Sequence, residues 1–207
     1  MPGVFHQPTR RDAARNRARL LSAADRLFSV RTDVTLTDVA READVGVGTV
    51  YRHFPTRDEL INALSAERLS EAVEIARTAA AEPDGWRGLS RFLEESLALQ
   101  VRNGWLRALV EVGGCDNDRM DRARDAIAPL IEQITARARA QRSLRAEVEA
   151  SDITLIQLAL LAVLDATRDT SPDRYRRHLG FLLAGIRADG ADAPPTVSLM
   201  APVSPAG

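Results

Sequence analysis

Residues 47 to 57 read Val47-Gly48-Thr49-Val50-Tyr51-Arg52-His53-Phe54-Pro55-Thr56-Arg57, and the groups among them able to do chemistry are hydroxyls, an imidazole and guanidiniums. At this spacing they make no proton-transfer pair. They are hydrogen-bonding groups of the kind that meet phosphate oxygens and base edges. Elsewhere the 207-residue chain offers little for catalysis: its His residues are His6, His53 and His178 and its only Cys is Cys115. It has no Cys-x-x-Cys or His-Glu-x-x-His spacing, no Gly-rich phosphate loop and no nucleophile set beside a base. No catalytic residue, metal site or cofactor is expected. An all-helical enzyme and a protein-interaction module, each with an incidental head, stand as the competing readings.

Holding these groups takes two short helices and the start of a longer one. Thr35 is a good N-cap, and Leu36, Val39, Ala40 and Ala43 follow at one-faced helical spacing. Asp44-Val45-Gly46 breaks that helix, because Asp and Gly accept turn and left-handed conformations that a branched residue resists. The segment 47 to 54 turns Val50 and Phe54 inward and leaves Val47, Gly48, Thr49, Tyr51, Arg52 and His53 outside. Pro55 ends it. Thr56 and Glu59 predict a capping box for the next helix. A two-turn helix with a small, hydroxylated, aromatic and basic outer face suits a DNA major groove, its first residues at base edges and its flanks on phosphates.

The gapless run from Val45 to Leu60, with its Gly48-Thr49-Val50-Tyr51-Arg52-His53-Phe54 centre, resembles the helix-turn-helix of the tetracycline-repressor (TetR) family of bacterial regulators. Two positions depart from the family pattern: Asp44 stands where Gly is common, and Gly46 where Ser or Thr often caps. The resemblance implies that Val47, Gly48 and Thr49 face bases, and that Tyr51, His53, Arg57 and Thr37 hold the phosphate backbone. Arg52 meets a base or a phosphate. It implies further a homodimer on a palindromic double-stranded operator, most simply a repressor, and a small-molecule effector enclosed after the head. The pocket candidates are Phe92, Ser96, Gln100, Trp105, Leu109, Cys115, Asn117, Ile127, Ile131 and Gln157, which combine apolar walls with isolated polar groups. Leu144-Arg145 with Asp152, and Tyr175 to Leu179, resemble the C-terminal domain of SbtR-like members.

Composition favours helix throughout, an all-α fold, and the resemblance implies a three-helix DNA-binding head followed by a helical ligand-binding and dimerisation domain. Aromatics are 4%, and all 28 basic residues are Arg. Net charge is −1, which taken alone argues against a nucleic-acid binder. Its distribution argues the other way. Residues 1–60 hold ten Arg against eight acidic residues, and residues 61–207 eighteen against twenty-one. Arg10, Arg11, Arg15, Arg17 and Arg19 crowd the first nineteen residues against Asp12 alone, and beside the head they read as phosphate contacts. Arg10 and Arg11 belong to the candidate site.

The chain divides into a flexible arm (1–9), the head (10–55), the effector and dimerisation domain (56–188) and a disordered tail (189–207). Long helices are predicted over 10–30, 56–80, 86–102 and 118–142, the last bent or broken near 126–129 by Pro129. A short helix is predicted over 105–112. From a Ser151 cap to about 168 the chain is apolar on every side, so a second subunit is expected to cover it. Ser171-Pro172 predicts the start of the last helix. Leu158, Leu161, Leu179, Leu182, Leu183 and Ile186 are the expected dimer interface, a four-helix arrangement with the symmetry copy. One Cys fits a reducing cytoplasm, and the apolar run 158–164 is far shorter than the roughly 20 residues of a membrane span.

Overall fold

The computed structural model describes residues 10–103, 117–168 and 170–188, and those residues form eight helices and no strand. They are α1 (Arg10–Phe28), α2 (Leu36–Glu42), α3 (Val47–His53), α4 (Arg57–Ala81), α5 (Gly85–Arg102), α6 (Asn117–Ala140), α7 (Ala150–Thr167) and α8 (Arg174–Ile186). The predicted arm, the 105–112 helix and the tail lie outside the described residues.

Local signals explain most of the head. The Thr35 hydroxyl accepts from the Asp38 amide at 3.1 Å while the Thr35 amide donates to Asp38 Oδ2 at 3.1 Å, a reciprocal cap on α2. Asp44 takes the turn with φ 51°, the left-handed conformation in which its short polar side chain costs less than a branched one. Leu36, Val39 and Ala40 then bury against Leu20, Leu21, Ala24 and Phe28 of α1 and Val50 and Phe54 around α3. The head's core continues into α4, through Leu60, Ile61, Ala63 and Leu64.

A second core starts lower on the same helix. Ala76, Ala79 and Ala80 of α4 pack with Leu89, Phe92, Leu93 and Leu97 of α5 and Ile131, Ile134 and Ala138 of α6. Ile153, Leu160 and Leu164 of α7 and Tyr175 and Leu179 of α8 close it. At the α5–α6 crossing the helices approach closely: a Cβ on Gly85 would stand 2.4 Å from the Ala138 nitrogen. Gln141 ties the same corner, accepting from the Gly85 amide at 2.7 Å and donating to the Pro83 carbonyl at 2.8 Å.

Four expectations need correction. Thr56 caps α4 by accepting from the Glu59 amide at 3.2 Å, but only this half of the predicted box forms. α6 runs through Pro129 without a break, so of the two expected outcomes the break is excluded. Pro129 and Asp125 are both exposed, so the carbonyl left without its amide partner faces water. α7 begins one residue before Ser151, with Glu149 as its N-cap and the Glu149 amide donating to Asp152 at 2.8 Å. The chain holds a turn through Ser171-Pro172, and α8 starts only after Asp173.

α7 buries Ile153, Leu160 and Leu164, yet Leu155 and Leu158 remain 60% and 63% exposed, with Phe181 of α8 at 59%. By length and composition alone this helix could cross a membrane, at 18 residues and mean hydropathy 1.5. It carries Asp152 and Asp165, and at 1.5 Å per residue it spans about 27 Å, slightly short of a hydrocarbon core.

Candidate nucleic-acid interface

α3 owes its position to two side chains: Val50 is fully buried and Phe54, its C-cap, nearly so. With those two turned inward, the opposite face of a seven-residue helix must face out. Val47 is 42% and Tyr51 48% exposed, large apolar and aromatic groups that the fold leaves in solvent. Gly48 and Arg52 are exposed beside them, Thr49 and His53 half-buried. A Cβ on Gly48 would meet nothing within 4 Å, so the backbone there is open to close approach. Thr37 is exposed on the first turn of α2, and Arg11 on α1. Arg10 is the first residue of α1.

The basic side chains differ in how free they are. Arg52 bends back along its helix, Nε donating to the Gly48 carbonyl at 3.1 Å. Arg57 is engaged within the head. Its Nε donates to the Val34 carbonyl at 3.0 Å and its Nη2 to the Thr32 carbonyl at 2.7 Å, with the guanidinium over the Phe28 ring at 5.4 Å. That arrangement pins the α1–α2 connection to the start of α4, a role sequence reasoning did not anticipate. Arg19 does the same for the turn, donating to the Ala43 carbonyl at 2.7 Å. Arg17 lies over Phe54 at 5.4 Å and pairs with Glu67 at 3.6 Å. These arginines were visible in the sequence as charge, but nothing local names a carbonyl more than twenty residues away.

One carboxyl in the head is strongly perturbed. The Thr35 hydroxyl, then the Thr35 amide, hydrogen-bond Asp38 and hold its pKa at about 2, with Arg31 adding to the effect. A depressed folded-state pKa stabilises α2 above the unfolded value of about 4, and that contribution is lost as pH falls through the folded value. Amide exchange in α2 is therefore expected to accelerate between pH about 4 and about 2, and Asp38→Asn to abolish that pH step. An unchanged step in Asp38→Asn would assign it to another carboxyl.

The pocket candidates among the described residues divide between the second core and half-buried positions. Phe92, Ser96 and Ile131 are buried in the second core, and the Ser96 hydroxyl is satisfied by the Leu93 carbonyl at 3.2 Å. Gln100, Ile127 and Gln157 are half-buried, while Trp105, Leu109, Cys115 and the Asn117 side chain lie outside the described residues. One cleft of about 400 Å³ opens between α4 and α6, lined by Leu69, Val73, Arg77, Arg122 and Ala126 among others. A second, of about 470 Å³, lies between α5 and α8 beside Glu94, Ala98, Tyr175 and Leu183. Among the described residues neither is lined by a pocket candidate, though the second is lined by Leu179 and Leu183 of the expected dimer interface. Ile131 lines a third, between α6 and α7. Of the expected interface residues, Leu158 is exposed, Leu161, Leu182, Leu183 and Ile186 are half-buried, and Leu179 is buried within the chain's own core. Leu155 and Phe181 were absent from that expected set. Leu155 stood in the stretch expected to be apolar on every side, whereas Phe181 sits off the helical stripe Tyr175, His178, Leu179, Leu182, Leu183 and Ile186.

Comparison with known proteins agrees with this geometry. The profile of bacterial regulatory proteins of the tetR family matches residues 20–64. No curated protein matches the chain. Among solved structures, a TetR transcription regulatory protein from Mycobacterium vanbaalenii is 30% identical over 86% of this chain and 98% of its own, with a TM-score of 0.66. A TetR transcriptional regulator from Streptomyces coelicolor is 26% identical over 84% and 99%, with a TM-score of 0.65. The reduced form of NemR from E. coli shares the fold at 19% identity, over 88% and 100%, with a TM-score of 0.63. A matched head, a full-length relative and an outward-facing α3 together place the chain in the TetR family of DNA-binding transcription regulators.

Proposed function

We propose that the protein is a homodimeric repressor that sits on a palindromic operator and leaves it when a small molecule binds. The observation that carries the dimer is the bare face of α7 and α8, where Leu155, Leu158 and Phe181 are all more than half exposed. An apolar patch of that kind on a regulator is covered by a copy of itself most simply through a two-fold axis, and two-fold protein symmetry demands inverted half-sites. The same face explains why α7 is apolar enough to span a membrane without needing one. The reading places the protein in the cytoplasm, with residues 10–55 reading DNA and 56–188 sensing the effector and dimerising.

On the DNA, Val47, Gly48 and Thr49 meet the bases, while Thr37, Tyr51, His53, Arg10 and Arg11 lie along phosphates, with Arg52 reaching either once it leaves the Gly48 carbonyl. The effector acts by preferring the head spacing that does not fit successive half-sites. Tyr51→Ala is expected to weaken operator binding with the fold intact and to flatten the salt dependence by about one ion. Fluorescence anisotropy across a salt series checks this, and full affinity would remove Tyr51 from the interface. The whole proposal is tested by selecting bound duplexes from a random pool together with light scattering on the free protein. An inverted repeat and a dimer are expected; a monomer without sequence preference would overturn it.

A further inference from the structure

α4 belongs to two cores that do not touch along it. Leu64 is its last residue in the head's core and Ile75 its first against the second core. Over the ten residues between them, about 15 Å of helix, no hydrophobic side chain of α4 packs in either core among the described residues. On that stretch Leu69 and Val73 line the cleft toward α6, outside both cores, and a chain of alternating charges ties it to α1 and α5. Arg68 Nη2 donates to Asp25 of α1 at 2.5 Å and Nη1 to Glu71 at 2.9 Å, and Arg102 Nη2, from the last residue of α5, donates to the other Glu71 oxygen at 2.8 Å.

The relay therefore runs from the head, across the waist of α4, to the C-terminal end of α5. Arg68 and Asp25 are each about one-quarter exposed, so that pair is screened less than a surface one, while the Arg102–Glu71 pair lies nearer solvent and yields first to salt. Planar guanidinium forks set direction as well as attraction. Apolar packing at the waist would fix the head permanently, whereas ion pairs hold it in one orientation that can be let go.

We infer that Arg68 and Glu71 are positioning residues that set the orientation of the head, and that the Arg102–Glu71 link lets the end of α5 control it. This deepens the ligand-released repressor reading and rests on it for its purpose, though not for its geometry. Displacing Arg102 leaves Glu71 to compete with Asp25 for Arg68, which loosens the head without unfolding either core.

The test uses the full chain carrying spin labels at Ala14→Cys on α1 and Ala140→Cys on α6, in a Cys115→Ser background diluted with unlabelled protein. The intramolecular distance distribution is expected to be narrow at about 0.1 M salt and to broaden at about 1 M, where charges are screened. Glu71→Gln and Arg68→Gln are expected to broaden it about twofold at the lower salt and to remove the salt response. Arg102→Gln, at an exposed position that tolerates change, broadens it less, and carries the test if the other variants fail to fold. Equal widths in parent and variants, or a parent indifferent to salt, would overturn the inference. Operator affinity separates the two proposals. A relay that behaves as stated in a protein that selects no inverted repeat sinks the repressor reading alone. Parent-like widths in a protein that does select one sink the relay alone.

Discussion

A Leu158→Arg chain is expected to fold as the parent does and to run as a monomer in light scattering. Leu158 is 63% exposed in the single chain, so the substitution removes little intrachain packing, and exposed positions of this kind change stability by about 0.5 kcal/mol or less. In the proposed dimer the same site lies near the middle of a buried apolar face. An arginine there brings an unpaired charge into the interface, against the about 2 kcal/mol or more that a central interface residue contributes. The dimer constant is expected to weaken by at least about 30-fold. Operator binding falls further, because linking two heads raises effective affinity by about 100-fold to 10,000-fold, and a lone head loses that gain. A variant that stays dimeric at micromolar concentration would move the interface elsewhere.

The second large effect is expected at Arg57. Its guanidinium holds the Val34 and Thr32 carbonyls and stacks on Phe28, so Arg57→Ala removes two charge-assisted bonds and a cation–ring contact together. Val34 is buried, and its carbonyl then loses a partner that water replaces poorly. The head is expected to lose about 2–3 kcal/mol, with the second core barely affected. Arg57→Lys should recover less than half, since a single ammonium cannot serve both carbonyls and the ring at once. Amide exchange resolves the two cores and gives the answer directly. If exchange in α1 and α2 is unchanged while operator binding drops, Arg57 holds phosphate and not the α1–α2 connection.

What could be read from the sequence was local. Thr35 as the cap of α2, the apolar stripe of α2, Asp44 at the turn and the inward pair Val50 and Phe54 each carry their signal within a few residues, and each formed in the structure. Helix starts were harder wherever two caps competed. Glu149 displaced Ser151 because Asp152 reaches back to its amide, and the Ser171-Pro172 pair gave a turn before α8 began at Arg174. Contacts across the chain left no local trace: Arg19 to Ala43, Arg57 to Val34 and Arg68 to Asp25 join residues 24, 23 and 43 positions apart. The pocket candidates show the same limit from the other side. A serine among leucines on a helix face reads as a lone polar wall, but Ser96 simply bonds its own backbone.

The crossing at Gly85 limits where this molecule can change shape. No methyl group fits between that residue and Ala138, and Gly88 stands as close to the Ala79 carbonyl, with 2.7 Å to a Cβ built there. Helices that mesh backbone to backbone slide poorly, because either direction brings atoms into overlap. The rear half of α4 must accordingly travel as one piece with α5 and α6. The head swing proposed above would then begin in front of this rivet, as a short lever on a fixed fulcrum.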